Sequence, residues 1–253
     1  KFRIAENQTS EDYLIYDADD EVLVNWLEAH PVKSKLLPFS LEKQVKQGAH
    51  LKNNEIELLI ANNTIKIMTD NLALEGKHNL KNTMAAALAA KLVGIRKETI
   101  RNSVTNFQGA PHRLEKVLKI AHVQYINDSK ATNVGATIAA LQGLKNSTRK
   151  RLILLLGGDG KSADFSVITE AAYQFADRVI CFGQDAEQIV SELKNEYIYR
   201  LLTFSEALSL ASQIAEEGDT VLLSPACASF DEFKSFEARG DAFCQFVKCR
   251  ELS

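Results

Sequence analysis

The chain has no apolar stretch long enough to cross a membrane, and it carries too little excess charge to attract a polyanion. Its 30 basic and 33 acidic residues give a net charge of −3, which provides no basic field for a nucleic acid. The opening residues (KFRIAENQTSED) are too polar for a secretory signal peptide. These absences exclude a membrane-inserted protein and a nucleic-acid-binding protein, and they favour a soluble protein of the cytoplasm.

Cysteine is sparse as well, and the spacing of the four cysteines matches no zinc or redox motif. Reduced thiols in a cytoplasmic protein are the plain interpretation. We expect Cys227 to be a small packed residue rather than a nucleophile, because no histidine lies near it in sequence. The first residue is Lys1 rather than methionine, which indicates a processed or truncated product.

Two common nucleotide-binding motifs are also missing. No G-x-G-x-x-G with an acidic residue about twenty residues later follows a predicted strand, which argues against a nicotinamide-dependent oxidoreductase. The phosphate loop G-x-x-x-x-G-K-S/T does not occur either. Gly160-Lys161-Ser162 matches its tail, but the required first glycine falls at Leu155, inside a predicted strand. What remains is a glycine turn that presents Lys161 to an anion.

The most informative pattern that is present covers residues 151–165 (RLILLLGGDGKSADF). Residues 152–156 are wholly apolar, as expected of a strand buried on both faces. Glycines, an acid and Lys161 follow, and a helical pattern begins near Ser166. Open α/β sheets bind anionic ligands at such loops. A tight turn with a solvated lysine is the alternative.

The order of strands and helices changes near Pro111. Upstream we predict a strand at 13–16, a helix at 19–29, a hairpin of 55–60 with 64–68, and helices at 78–93 and 97–106. Downstream, paired strands at 114–120 and 123–127 precede alternating helices and strands at 134–144, 152–156, 166–176, 178–182, 185–194, 198–202, 205–217, 220–224 and 231–247. This alternation predicts βαβ units and a mainly parallel, Rossmann-like sheet. We therefore expect an α/β protein with domains at residues 1–111 and 112–253.

Three further polar clusters follow or open these elements. Residues 127–133 (NDSKATN) combine a carboxylate, which can accept both hydroxyls of a ribose, with a lysine for phosphate or carboxylate oxygens. Capping of the next helix by Thr132 or Asn133 explains only one of these residues. Residues 224–230 (SPACASF) have small side chains that let a ligand approach the backbone, or they simply form a turn.

The third cluster, residues 76–82 (GKHNLKN), opens an alanine-rich helix. Asn79 and Asn82 lie three residues apart and share a face, so their amides can read the edge of an adenine. The alternative is that Asn79 is only an N-cap. At the domain junction, Arg113 has two possible roles: it can reach a phosphate or ribose, or it can pair with Glu115.

Five segments, taken in order, make the chain similar to the Mur ligase family: GKHNLKN, PHRLE, NDSKATN, LLLGGDGKSADF and LLSPACASFDEFKSFEARGDAF. The resemblance runs from residue 1 to about 247 and is strongest to the members that add D-glutamate. It implies an ATP-dependent ligase of peptidoglycan precursor synthesis that joins D-glutamate to UDP-N-acetylmuramoyl-L-alanine. ATP and Mg²⁺ make an acyl phosphate, which the incoming amine attacks. The resemblance also implies a monomer.

The resemblance assigns a role to each candidate residue. Asn79 and Asn82 would contact the adenine, Arg113 the nucleotide, Asp128 the ribose and Lys130 the phosphates. The D-glutamate pocket would consist of Thr132, Lys161, Ser229, Phe230 and Phe236.

Lys1 opens Lys-Phe-Arg-Ile-Ala-Glu-Asn, which matches the family segment Lys-x-Arg-Ile-x-x-Asn. In the family this lysine is carbamylated and its carbamate helps to hold magnesium. Lys1 is therefore the candidate catalytic residue, and a metal ligand only when carbamylated. The alternative is a solvated terminal residue.

Other family parts do not occur in the sequence, namely the phosphate loop, the UDP-binding domain and the metal-binding Glu and His segment. We interpret residues 1–111 as the C-terminal part of the central ATP-binding domain and residues 112–253 as the amino-acid-binding C-terminal domain. We expect the isolated chain not to turn over. A non-catalytic module that binds a nucleotide or an amino acid is the alternative function.

Overall fold

A computed structural model of the chain describes residues 2–60, 63–72, 76–107, 109–144, 150–193 and 197–251. The chain divides into two compact units, Lys1–Gln108 and Gly109–Ser253. Each unit has its own sheet. No helix in these described ranges is long and apolar enough to span a bilayer.

The first unit contains a five-stranded sheet whose strands lie side by side in chain order. They are Tyr13–Asp17 (β1), Lys35–Ser40 (β2), Gly48–Lys52 (β3), Glu55–Ile60 (β4) and Asn63–Met68 (β5). β1, β2 and β3 pair in parallel, and β3, β4 and β5 pair antiparallel. The helices are Glu21–Ala29 (α1), Lys77–Leu92 (α2) and Lys97–Asn106 (α3). α2 packs Met84, Ala87 and Leu88 into the core of the sheet.

The hairpin of β4 and β5 is confirmed, whereas the sequence did not predict β2 and β3. Pro38 lies inside β2, opposite Tyr16 of β1, and a proline within an apolar run argues against a central strand. β3 begins with Gly48 at φ 118°, where a Cβ would lie 1.9 Å from the carbonyl oxygen of Pro38. The two strands pair only because that position has no side chain.

The second unit contains a six-stranded sheet. Its strands are Glu115–Ile120 (β6), Val123–Asn127 (β7), Leu152–Gly157 (β8), Arg178–Phe182 (β9), Ile198–Arg200 (β10) and Thr220–Ala226 (β11). The spatial order is β10-β9-β8-β11-β7-β6, and every pairing is parallel except β6 with β7. The helices are Val134–Leu144 (α4), Thr169–Phe175 (α5), Ala186–Leu193 (α6), Phe204–Ile214 (α7) and Phe236–Glu251 (α8). The predicted α/β class and mainly parallel sheet are confirmed.

Helices cover both faces of this sheet. Leu152, Leu154 and Leu156 of β8 join the core that contains residues of α4, α5 and α6. Ile153 and Leu155 join the core that contains residues of α7 and α8. Every residue of β8 and β11 is buried, which explains the unbroken apolar run Leu152–Leu156 in β8 and the apolar residues 221–223 in β11.

Two predicted helix starts were wrong. The helix predicted from 166 is a 3₁₀ turn, Phe165–Ile168, followed by α5. The helix predicted from 231 begins at Phe236, because the N–H groups of Glu232 and Phe233 bond to the carbonyl of Ser229 in a separate turn. Ser235 then accepts the N–H of Ala238 at the start of α8. The loop after β11 is consequently longer than expected.

Candidate functional site

Three loops of the second unit leave neighbouring strands at one edge of the sheet. β11 lies between β7 and β8, and all three strands run parallel. Asn127 pairs in register with Leu223, and Ala226 pairs with Gly157. The polar clusters NDSKATN, GGDGKS and SPACASF therefore lie side by side at the carboxyl ends of the strands, where open α/β sheets bind ligands.

The loops after β8 and β11 are also bonded to each other. The N–H of Asp159 donates to the carbonyl of Ala228 at 3.0 Å, and the N–H of Ala228 donates back to Asp159 at 2.8 Å. Gly158 has no room for a side chain, because a Cβ would lie 2.3 Å from the Ala228 oxygen. This bridge fixes the separation of the segments that carry Lys161 and Ser229.

A buried arginine that the sequence analysis did not single out joins all three loops. Arg239 of α8 is 0% exposed. It donates to the hydroxyl and carbonyl of Ser129, and to the carbonyls of Gly157, Cys227 and Ala228. Burial lowers the pKa of Arg239 to about 10, so the guanidinium stays charged at neutral pH. Its position in the sequence could have indicated this role. Arg239 falls on the same helix face as Phe243 and Val247, and a charged residue on an apolar face needs hydrogen-bond partners.

Ser229 directly follows Cys227 and Ala228, whose carbonyls accept hydrogen bonds from Arg239. It is 2% exposed, and within the described residues its hydroxyl has no hydrogen-bond partner. A buried hydroxyl without a partner costs about 1–3 kcal/mol. Such an atom marks a position where a ligand's acceptor would restore the lost bond.

Lys161 and Phe230 come together from the loops after β8 and β11. Lys161 is exposed, and its N–H donates to the carboxylate of Asp159 at 3.0 Å. Its Nζ lies 5.4 Å from the centroid of the Phe230 ring, which is itself 64% exposed. Lys161 and Ser162 have φ of 52° and 61°, an uncommon conformation for residues with a side chain. The loop thus holds a cation and an exposed ring in a constrained turn.

Lys130 has a similar setting on the loop after β7. Its Nζ lies 3.8 Å from the centroid of the Phe236 ring, within the range of a cation–π contact. The half-buried Thr132 donates its N–H to the carbonyl of Lys130 at 2.8 Å. Asn133 accepts the N–H of Ala136, so Asn133 rather than Thr132 caps α4. Capping therefore does not account for Thr132.

Asp128 is buried, and both of its carboxylate oxygens accept hydrogen bonds from the protein. Oδ1 accepts the N–H of Leu114 at 3.1 Å, and Oδ2 accepts the hydroxyl of Ser224 at 2.8 Å. Burial raises the pKa of Asp128 to about 6, against the opposing effects of these two bonds and of the charge of Arg113. Arg113 itself is exposed. Asp128 thus joins the start of the second unit to β11.

The remaining candidates lie in the first unit. Asn79 is half-buried and Asn82 is exposed on the first turns of α2. The N-cap of α2 is Gly76, whose carbonyl accepts the N–H of Asn79, so the interpretation of Asn79 as only an N-cap was wrong. Lys81 of the same helix bonds to Asp17 at the end of β1, at 2.7 Å.

Lys1, the candidate catalytic and metal-binding residue, lies outside the described residues. Among the residues that are described, no group of three or more His, Cys, Asp or Glu side chains could hold a metal ion.

Two family models match the chain. The Mur ligase middle domain matches residues 1–90, and the Mur ligase, glutamate ligase domain matches residues 112–227. The UDP-N-acetylmuramoylalanine--D-glutamate ligase of Christiangramia forsetii is 48% identical over 250 residues, covering 98% of this chain and 55% of that protein. The ligase of the same name from Porphyromonas gingivalis is 42% identical over 247 residues, covering 96% and 54%. The chain spans about half the length of the curated relatives it matches.

Solved structures share the fold at low sequence identity. E. coli FolC in complex with DHPP and ADP aligns with a TM-score of 0.68 at 18% identity, covering 96% of this chain and 54% of that one. The UDP-N-acetylmuramoylalanyl-D-glutamyl-2,6-diaminopimelate--D-alanyl-D-alanyl ligase from Acinetobacter baumannii aligns at 0.67 and 17% identity, covering 93% and 51%. These likenesses support the architecture alone. The two matched domains, together with the sequence relatives, establish that the chain belongs to the Mur ligase family.

Proposed function

We propose that these two domains are the ATP side and the D-glutamate side of a ligase that extends UDP-N-acetylmuramoyl-L-alanine in peptidoglycan precursor synthesis. The observation that carries the proposal is the meeting of two lysines, a buried carboxylate and an unpartnered buried hydroxyl at one sheet edge. Relatives named as D-glutamate ligases, up to 48% identical among those compared above, support the choice of amino acid.

D-glutamate carries two carboxylates, which need a cation and neutral donors. Lys161 supplies the cation, and the hydroxyls of Ser229 and Thr132 supply donors from the two neighbouring loops. Lys161 rests against Phe230, and Lys130 rests against Phe236. An aromatic ring holds an ammonium group without neutralising it, so both charges stay available to an anionic ligand.

In the second unit, Asp128 is the candidate contact for the ribose of a nucleotide. Each oxygen of Asp128 accepts one protein bond and keeps a second lone pair for a ribose hydroxyl. Lys130 would face the phosphates and Arg113 would reach the nucleotide, while Asn79 and Asn82 would contact the adenine.

In the proposed reaction the γ-phosphoryl group of ATP passes to the substrate carboxylate, giving an acyl phosphate and ADP. The amine of D-glutamate then attacks the carbonyl carbon, the amide bond forms, and phosphate leaves. Mg²⁺ belongs to this proposal through a carbamylated Lys1, which lies outside the described residues and would help to hold the ion. We place the reaction in the cytoplasm, where ATP is available.

The test is the steady-state kinetics of the native gene product that contains these residues. Lys161→Ala should raise the KM for D-glutamate at least tenfold and leave the KM for ATP nearly unchanged, because losing one partner of a charged pair costs about 2 kcal/mol or more. Lys234→Ala, at an exposed lysine of the same unit, is the matched control.

An unaltered D-glutamate KM in Lys161→Ala would remove Lys161 from the site. D-glutamate binding without phosphate release would instead favour the non-catalytic module. Neither binding nor turnover with D-glutamate would refute the proposed function.

A further inference from the structure

We infer that Arg239 is a positioning residue that sets the spacing of the three ligand-facing loops and thereby the affinity for the amino acid. The inference rests on the proposed function and adds to it a residue of α8 that lies outside the proposed ligand contacts. It follows from the hydrogen bonds of one side chain and from what lies next to each acceptor.

All five N–H donors of the Arg239 guanidinium are in use. Nε donates to the Ser129 hydroxyl at 3.0 Å. Nη1 donates to the carbonyls of Ala228 at 3.1 Å and Gly157 at 3.4 Å. Nη2 donates to the carbonyls of Cys227 at 3.0 Å and Ser129 at 3.1 Å. Arginine has five donors in a rigid planar fork, so none is left for a ligand, and Arg239 acts through its neighbours.

Each acceptor lies close to a proposed ligand contact. Ser129 directly precedes Lys130, and Ala228 directly precedes Ser229. Gly157 ends β8 and leads into the turn that carries Lys161. One rigid group therefore fixes the backbone directly before Lys130 and Ser229 and at the start of the turn that carries Lys161.

A lysine could not replace this arrangement. An ammonium has three donors at a single point, whereas the acceptors of Arg239 are spread over three loops. None of these acceptors is a carboxylate, so the charge is held by peptide dipoles and one hydroxyl. A buried cation in this setting is costly, and its five satisfied bonds are what keep it in place.

The experiment compares Arg239→Lys with Arg151→Lys in the native gene product. Arg151 is the matched control because it lies at the opposite end of the same sheet and forms an ion pair with the buried Asp219. Arg239→Lys should lower kcat/KM for D-glutamate at least 100-fold. The KM for ATP should rise by a smaller factor, because only the two bonds to Ser129 lie next to the proposed phosphate contact Lys130. Arg151→Lys should lower the unfolding midpoint and leave the D-glutamate KM unchanged.

Ser129→Ala keeps the inference testable if Arg239→Lys does not fold. It removes only the hydroxyl that accepts from Nε and donates to the carbonyl of Phe236. We expect the D-glutamate KM to rise about three- to tenfold, by the loss of roughly 1 kcal/mol of positioning.

Wild-type D-glutamate kinetics in a folded Arg239→Lys variant, or in Ser129→Ala, would overturn the inference. Equal losses in Arg239→Lys and Arg151→Lys would also overturn it, because they would indicate a general effect of stability. Failure of the wild-type protein to use D-glutamate would refute the proposed function instead, so the two failures are distinguishable.

Discussion

Asp128→Asn should change the pH dependence of stability in a way that follows from burial of the carboxylate. The pKa of Asp128 is raised from 3.8 to about 6, which corresponds to about 3 kcal/mol between the protonated and ionised forms. The folded state therefore favours the protonated form of the Asp128 carboxyl group. The stability that the protonated group contributes is fully present below about pH 4 and is lost as the pH rises through about 6.

Asparagine imitates the protonated acid at this position. Its oxygen can accept the N–H of Leu114, and its amide can donate to the Ser224 hydroxyl, which lies 3.2 Å from the hydroxyl of Thr137. The variant should therefore become more stable relative to the wild type as the pH rises. Linkage predicts that the difference in their free energies of unfolding changes by about 1.4 kcal/mol between about pH 5 and pH 7.5.

The assay is urea unfolding of both proteins across this pH range, followed by far-UV circular dichroism. Fluorescence of Trp26, the only tryptophan, reports on the first unit separately. Asp219→Asn is the control: burial on its own raises the pKa of Asp219, but bonds from Arg151 and from backbone N–H groups outweigh it, and the pKa is lowered. The stability contributed by the ionised Asp219 is therefore lost only as the pH falls below about 4. A stability difference for Asp128→Asn that stayed constant between about pH 5 and pH 7.5 would refute the reasoning.

Two further outcomes are expected. Gly48→Ala should destabilise the first unit by about 3 kcal/mol or more, because its Cβ would lie 1.9 Å from a backbone oxygen of β2. Gly94→Ala, where a Cβ would meet no atom within 4 Å, should reduce the stability by only about 1 kcal/mol because of the positive φ. Unfolding followed by Trp26 fluorescence would measure both losses of stability, and equal losses would contradict the steric argument. Limited proteolysis should cut near residues 108–111 and leave a stable core from about Arg113 onward, since the second unit buries its strands under its own helices. Simultaneous digestion of both units would count against this boundary.

The second unit could be predicted from sequence because its central strands, β8 and β11, are buried on both faces. An apolar run such as residues 152–156 has no other place in a soluble fold, and the intervening helical patterns dictate parallel pairing. β2 and β3 could not be predicted, because Pro38 and Gly48 contradict local strand propensity. They are strands only because the two positions meet across the sheet.

The candidate site also has a part that the sequence predicted and a part that it did not. The rule that ligands bind at the carboxyl ends of parallel strands brought Asp128, Lys161 and Ser229 to one edge before their contacts were known. The aromatic rings that contact the two lysines, and the one hydrogen bond that each oxygen of the Asp128 carboxylate accepts, depend on residues distant in sequence. Arg239 was missed for the same reason, since its acceptors lie up to 110 residues away.

The position of Arg239 in the chain also has a consequence for biosynthesis. The three loops that it joins are all made before α8. A ribosome-bound chain that ends ahead of Phe236 therefore has Lys130, Lys161 and Ser229 without the group that spaces them. Synthesis proceeds at about 5–20 residues per second, so the interval before α8 follows is short. During that interval a nascent chain would not capture the amino acid. Ligand binding would begin only when α8 had docked, which makes occupancy of the pocket a marker that this helix is in place.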